Sequence, residues 1–313
     1  MDSEIVFSPL GIEDKALYDS YYHRTGTRIS DLNFVSRMAW WAGFNYEKAI
    51  IDDTFVVFSP KSVFSDLHFS IPLGLTCSDH LERILDRLWS VCADRFAKDT
   101  GSQPHLRFLY IEKHELKCFN FLKKYETETI MKPAFSDYVY NGADLVTLKG
   151  KFYNGKRNHL NKFMRAYPDF EYRSLRKEDE TDCLALVDDW ADEKETNRDD
   201  LRESDYVPIQ TLFHYFDELE IFGGTIRVGG RIVAFSMLSE GCADTVIVHI
   251  EKANTDYRGA YAAINKLTLE NECPDILWVN REEDMGIEGL HKAKQSYGPA
   301  FMVDKYEVKI VLK

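Results

Sequence analysis

Two stretches of this chain bring together groups that could do chemistry. In TVIVHIEKAN (residues 245–254), strand alternation puts His249 and Glu251 on one face and Val248 and Ile250 on the other. In ILWVNREEDMG (residues 276–286), an apolar run ends in Asn280, Arg281, Glu282, Glu283 and Asp284. Carboxylates beside amide and guanidinium groups at neighbouring strand ends offer a general base next to donors that can steady a developing oxyanion. Glu251 is assigned as the base. Asn280, Arg281 or Tyr297 stabilises the oxyanion or protonates the leaving group, and Glu283 and Asp284 complete the charged turn. Glu251 should share a cavity with this turn, and like charges there should raise a carboxylate pKa. A Glu251→Gln exchange should then stop turnover and leave folding intact. The competing reading is a solvated acidic turn.

A third stretch, KGKFYNGKRNHLNKFMRAYP (residues 149–168), imitates a phosphate-binding loop, with Gly150, four residues, then Gly155 and Lys156. Arg157 stands where that loop needs Ser or Thr to hold magnesium, and Lys151, Phe152, Tyr153 and Asn154 are not small. Nucleotide hydrolysis is therefore rejected. The segment reads instead as a basic amphipathic helix, with Leu160, Phe163, Met164 and Tyr167 on an apolar stripe. It carries six cations and no acid from Lys149 to Arg165, in a chain of net charge −13. Such segregation concentrates positive potential where a phosphate-bearing donor could dock. Lys156, Arg157 and Lys162, with His159 beside them, are the expected anion clamp. A linker helix with a solvated basic face is the alternative.

The rest of the composition is mainly exclusive. Six scattered cysteines form no C-x-x-C pair, so neither zinc nor a redox couple is expected. No metal or cofactor is assigned. The acidic first residues lack a signal-peptide core, and no stretch approaches the roughly 18 apolar residues of a membrane span. A cytoplasmic location is expected.

The elements that must position these groups come in one order, read twice. Strands at 170–175, 222–228, 231–238 and 244–253, helices at 177–195, 204–220 and 257–272, a strand at 275–281, a helix at 286–298 and a strand at 305–312 give β-α-α-β-β-β-α-β-α-β. Gly229-Gly230 marks a tight hairpin. The first half repeats the order, from the strand at 5–9 through a long amphipathic helix at 78–96, capped by Ser78, to a helix at 113–125 and a strand at 137–142. The fold expected is α/β, two duplicated domains of mixed sheet flanked by helices. An N-terminal domain covers residues 1–141. The basic helix and a C-terminal domain cover 142–313.

This order resembles the GNAT acyltransferase fold. GNAT acetyltransferases place R/Q-x-x-G-x-G/A at the helix start that follows the fourth strand, where free amides bind the donor's phosphates. Here the stretch reads Asp256, Tyr257, Arg258, Gly259, Ala260, Tyr261. Arg258 and Gly259 remain donor-binding candidates. Asp256 and Tyr261 predict weak acetyl-CoA binding.

Three long segments carry a closer likeness: residues 148–175, the run IVHIEKANTDYRGAYAAINK, and VNREEDMGIEGLHKAKQSY. They resemble the bacterial family grouped with the C-terminal domain of phosphatidylglycerol lysyltransferase. The resemblance implies tandem GNAT-like domains akin to Fem-type aminoacyltransferases. It also implies a donor of the aminoacyl-tRNA type. The acceptor is then an amine or hydroxyl on a small molecule or a lipid head group. The second class of reading is a non-catalytic pair that holds an anion or aminoacyl-tRNA, and the third is a conventional acyl-CoA N-acyltransferase.

Overall fold

The computed structural model describes residues 5–62, 65–194 and 206–313. The chain forms two compact units, Met1–Asp137 with Val303–Lys313, and Tyr138–Met302. In the first half of the sequence the strands are β1 (Ser8–Pro9), β2 (Glu47–Ile51), β3 (Thr54–Ser59), β4 (His68–Ser70), β5 (Leu106–Ile111) and β6 (Tyr125–Met131). The second half supplies β7 (Asp137–Asn141), β8 (Glu171–Ser174), β9 (Phe222–Val228), β10 (Arg231–Glu240), β11 (Thr245–Ala253), β12 (Trp278–Asn280), β13 (Phe301–Val303) and β14 (Tyr306–Leu312). One sheet has the order β1-β2-β3-β4-β5-β14-β6, the other β13-β7-β12-β11-β10-β9-β8.

Each sheet therefore takes a strand from the far side of the linear boundary at Asn141. β7 follows the first half in sequence yet pairs with β12, Val279 opposite Tyr140. β14 ends the chain yet lies between β5 and β6. A cut between 141 and 142 does not describe this division. The physical reason lies in β6. Its sequence YETETIM alternates Tyr and Thr with Glu and shows no apolar face, so the sequence carries a helix through 113–125 instead. The structure has only a short helix at Leu116–Asn120. β6 is held by pairing along its whole length with β14, from Tyr306↔Met131 to Leu312↔Tyr125. A partner about 180 residues away cannot be read from local pattern.

Other elements follow from local chemistry. Both residues of the β9–β10 turn have positive φ, Gly229 at 58° and Gly230 at 82°, as a two-residue hairpin requires. Asp52 and Asp53 do the same between β2 and β3, at 51° and 58°. The long helix Ser78–Thr100 begins one residue earlier than expected, with Cys77 at its cap position and Ser78 inside. The basic helix runs Asn154–Ala166 and buries Leu160 and Phe163 as its stripe predicts, while Met164 stays exposed. The helices expected at 177–195 and 204–220 are seen as Glu180–Lys194 and Val207–His214, with Pro208 in the first turn of the second. Residues 195–205 lie outside the described part. Among the described residues no helix is long and apolar enough to cross a membrane.

Ile310 is fully buried on β14, so Ile310→Ala should cost about 2–5 kcal/mol. Hydrogen exchange should then speed up in β5 and β6 and stay slow in β9–β11. Equal loss in both sheets would show that β14 does not belong to the first unit alone.

Candidate active site

In the second unit β11 and β12 run parallel from Thr245↔Trp278 to Ile247↔Asn280. There the pairing stops. β11 continues to Ala253, while the chain after Asn280 turns away through Glu282 (φ 57°), Met285 (φ 52°) and Gly286 (φ 74°). The turn is built by buried polar groups. The Asn280 Oδ1 accepts from the Glu282 amide at 2.7 Å. The buried Lys294 Nζ donates to the carbonyls of Arg281 at 2.6 Å and Glu282 at 3.1 Å, and to that of Glu283. Asn280 is fully buried, and this bond makes it a builder of the turn.

Across the gap left by the parting strands, Arg281 reaches Glu251. The Nη2–Oε1 distance is 2.8 Å, with side-chain exposures of 12% and 10%. Asn265 Nδ2 donates to the other Glu251 oxygen at 3.0 Å. The guanidinium lies 4.9 Å from the Tyr297 ring centroid and 5.8 Å from that of Tyr140. Its Nη1 is buried and has no acceptor among the described residues. Over the Tyr297 ring, at 3.6 Å from the centroid, sits the Lys156 ammonium, which also donates to Ser296 Oγ at 2.6 Å. Burial and the nearby Arg281 bring the Lys156 amine down to about 8, against the opposing pull of Glu251. Burial pushes the Tyr297 phenol up to about 12, with Glu251 adding and Arg281 opposing. Tyr153 fixes this corner by donating its hydroxyl to the Tyr297 carbonyl at 3.1 Å.

The Glu282 and Asp284 carboxylates of the acidic turn go to partners other than those of Glu251. Asp284 is buried and accepts from Tyr138 Oη at 2.5 Å and the Gly286 amide at 2.8 Å, with His291 Nδ1 at 2.7 Å. Burial alone would raise its carboxyl, but these hydrogen bonds outweigh that and hold it below the usual carboxylate range. This is opposite to the expected rise. Glu282 pairs with His249 Nδ1 at 3.1 Å, and His249 Nε2 meets Ser239 Oγ at 2.7 Å. Glu283 is half-buried and contributes its carbonyl to Lys294. Glu251 faces a guanidinium and an amide where the expectation was the acidic turn.

Of the basic segment, only Lys156 reaches the pair. Arg157 donates to the carbonyls of Leu148 and Gly150, the latter at 2.8 Å, and to Asn154 Oδ1. It closes its own loop. His159 and Lys162 are exposed, as is Arg258. Gly259 (φ 95°) starts the helix Ala260–Glu272, and a Cβ there would lie 2.2 Å from the His159 carbonyl oxygen. The glycine is needed so that the basic helix can pack on this helix start. The Tyr257 and Tyr167 rings meet beside it at a 42° tilt, their centroids 5.0 Å apart. Sequence reasoning missed Asn265, Lys294, Tyr140 and Tyr153. Asn265 left a signal, as a polar residue on the small-residue face of AYAAINK.

Two outcomes follow. Glu251→Gln leaves a buried guanidinium without its counter-charge and should cost about 3–5 kcal/mol, read as a fall in denaturation midpoint. An unchanged midpoint would show that the pair is not closed in solution. The Lys156 amine should react with an acetylating reagent along a pH curve centred near 8. Its folded pKa is below the ordinary 10.5. The unfolded chain therefore binds more protons between the two values, and stability should rise with pH in that window. Lys156→Met should remove this rise. A labelling midpoint above 10 would overturn the assignment.

Comparison with known proteins places the chain. The family described as "Phosphatidylglycerol lysyltransferase, C-terminal" matches residues 27–309. A conserved protein of unknown function from Bacteroides thetaiotaomicron VPI-5482 is 29% identical, with a TM-score of 0.84 over 99% of this chain and 100% of that one. L-PGS from Bacillus licheniformis has the same fold, at a TM-score of 0.57 and 14% identity over 94% of this chain and 91% of that one. The uncharacterized protein MYCGA3080 of Mycoplasmoides gallisepticum (strain R(low / passage 15 / clone 2)) is 26% identical over 194 residues. That match spans 60% of this chain and 60% of the relative's length. Two mixed sheets flanked by helices and a family match over most of the length make this chain a member of the phosphatidylglycerol lysyltransferase C-terminal family.

Proposed function

We propose that the chain transfers an aminoacyl group from an aminoacyl-tRNA-type ester to an amine or hydroxyl acceptor, and that the reaction takes place at the Glu251–Arg281 pair. The observation that carries this reading is the Arg281 Nη1, a buried N–H with no acceptor among the described residues, where two strands part. Leaving such a donor unpaired costs about 1–3 kcal/mol. An oxyanion that forms only during reaction would satisfy it, and stabilisation confined to the transition state is what accelerates a reaction.

The roles follow from the contacts. Both Glu251 oxygens are engaged, by Arg281 and Asn265. Glu251 therefore serves to orient the guanidinium. Lys156, with an amine near 8, is partly neutral at cellular pH and takes the acceptor's proton. The acceptor nitrogen or oxygen bonds to the ester carbonyl carbon, whose oxygen becomes an anion against Nη1. The carbon–oxygen bond to the donor then breaks, and the departing alkoxide receives the proton held by Lys156. Family membership supports aminoacyl transfer as the class of reaction. The acceptor is a small molecule or a lipid head group. Conventional acyl-CoA chemistry is disfavoured by the His159 carbonyl packed against Gly259. The closed state of Glu251 favours a second reading, a non-catalytic module that binds the donor only.

The test is transfer of labelled lysine from lysyl-tRNA to amine and hydroxyl acceptors. Arg281→Lys should lower the rate about 100- to 1,000-fold while tRNA binding persists. Lys156→Met should lower it and remove the pH dependence near 8. Tight tRNA binding with no transfer by the unaltered chain would establish the non-catalytic module. Full activity of Arg281→Lys would refute the oxyanion role.

A further inference from the structure

The first unit holds a second group of buried polar side chains, at the place equivalent to the pair just described. β4 and β5 run parallel as β11 and β12 do, and their pairing ends at Ser70↔Leu109. The next residue, Tyr110, has φ 62°, a conformation a bulky side chain rarely adopts. In the second unit the corresponding position after Asn280 is Arg281, followed by Glu282 at φ 57°. The end of such a strand pair is where open α/β sheets bind ligands.

Arg37, on the helix Phe34–Ala39, enters this place and is 1% exposed. Its Nε donates to Tyr18 Oη at 2.8 Å and its Nη2 to Ser70 Oγ at 2.7 Å. The rings of Tyr46, Tyr18 and Tyr110 surround the guanidinium at 5.1, 5.8 and 5.9 Å. All of these partners are neutral. Among the described residues no carboxylate bonds to it, and its Nη1 is buried without an acceptor. The acids of this region, Asp31 and Asp137, both bind Lys305. An arginine cannot shed its proton to escape burial, and an uncompensated buried charge is costly.

His68 lies two residues before Ser70 on the same face of β4 and is fully buried. Its ring meets Tyr110 edge-on at 5.8 Å. The Nδ1 lies 2.9 Å from both the Asp66 carbonyl and Ser65 Oγ. The Ser65 hydroxyl donates to that same carbonyl, and a carbonyl can only accept, which assigns the ring hydrogen to Nδ1 and the lone pair to Nε2. Nε2 is buried and has no donor among the described residues. Burial brings the imidazole down to about 4, against the Asp66 carbonyl and with Arg107 and Arg37 adding to the fall, so it is neutral at cellular pH. Around Tyr110 there are thus an unanswered cationic donor and an unanswered neutral acceptor among the described residues.

We propose that the first unit binds a compact α-hydroxy or α-amino carboxylate between Arg37 and His68. The carboxylate oxygen accepts from Arg37 Nη1, and the α-hydroxyl or α-amino group donates to His68 Nε2. A water molecule would make the same two hydrogen bonds and leave the guanidinium charge unbalanced, whereas a carboxylate neutralises it. The three tyrosine rings limit the ligand to a small one. This inference concerns the first unit and is independent of the transfer reaction.

The experiment is calorimetry and thermal shift on the full chain with L-lactate, glycine and acetate. Lactate or glycine should bind saturably and raise the melting temperature. Acetate, which lacks the donor, should bind about two- to tenfold more weakly. His68→Leu should erase the advantage of lactate over acetate. Arg37→Gln should abolish binding of both, with its melting curve without ligand reporting whether it folds. Should Arg37→Gln fail to fold, the His68→Leu comparison decides alone. No saturable response to lactate or glycine into the tens of millimolar overturns the proposal. So does an equal lactate-to-acetate ratio in the unaltered chain and His68→Leu, or a lactate-soaked crystal that holds only water at Nη1.

Discussion

Glu251 and Arg281 meet where β11 and β12 part, each side chain about nine-tenths buried. Taking two opposite charges out of water costs several kcal/mol per ion, and mutual attraction recovers it only when the geometry is held and further hydrogen bonds are made. Much of the second unit can be understood as meeting that condition. Asn265 fills the second carboxylate oxygen. Tyr140 and Tyr297 flank the guanidinium. Lys294 clamps three successive carbonyls of the turn that delivers Arg281. A looser turn would let the guanidinium swing to water and leave the carboxylate stranded.

The basic helix divides its charges between two tasks. Arg157 binds carbonyls of the loop before the helix, so its charge maintains local structure. Lys156, one residue earlier, lies over Tyr297 and feels both members of the ion pair. The same helix occupies the start of Ala260–Glu272 through the contact between His159 and Gly259. A helix start of the kind that receives phosphates elsewhere is here used for packing.

How legible the chain was depended on the range of the forces involved. The β9–β10 hairpin, the amphipathic helices and the alternation of β11 are set by neighbours within a few residues, and their periods stand in the sequence. β6 is invisible there because its Glu-Thr alternation acquires meaning only beside β14. The duplicated order was readable, and the placing of β7 and β14 in opposite sheets was not. Within the site, Glu251 and Arg281 could be named as neighbours at strand ends. Their pairing, and the protection of Asp284 by Tyr138, depend on contacts across 30 and 146 positions.

The sequence by itself determined the class of fold, the face on which Glu251 stands, the basic character of 149–165 and the family likeness. Each of these is written in local periodicity, local composition or long matched segments. Only the tertiary structure decided which charges are spent on each other and which stay available. Arg157 and Asp284 are committed to structure, while Arg281 Nη1 has no acceptor among the described residues and Lys156 lies over the Tyr297 ring. That distinction depends on burial and on partners distant in the chain. A side chain's charge is fixed by its type, but its free energy is fixed by what surrounds it.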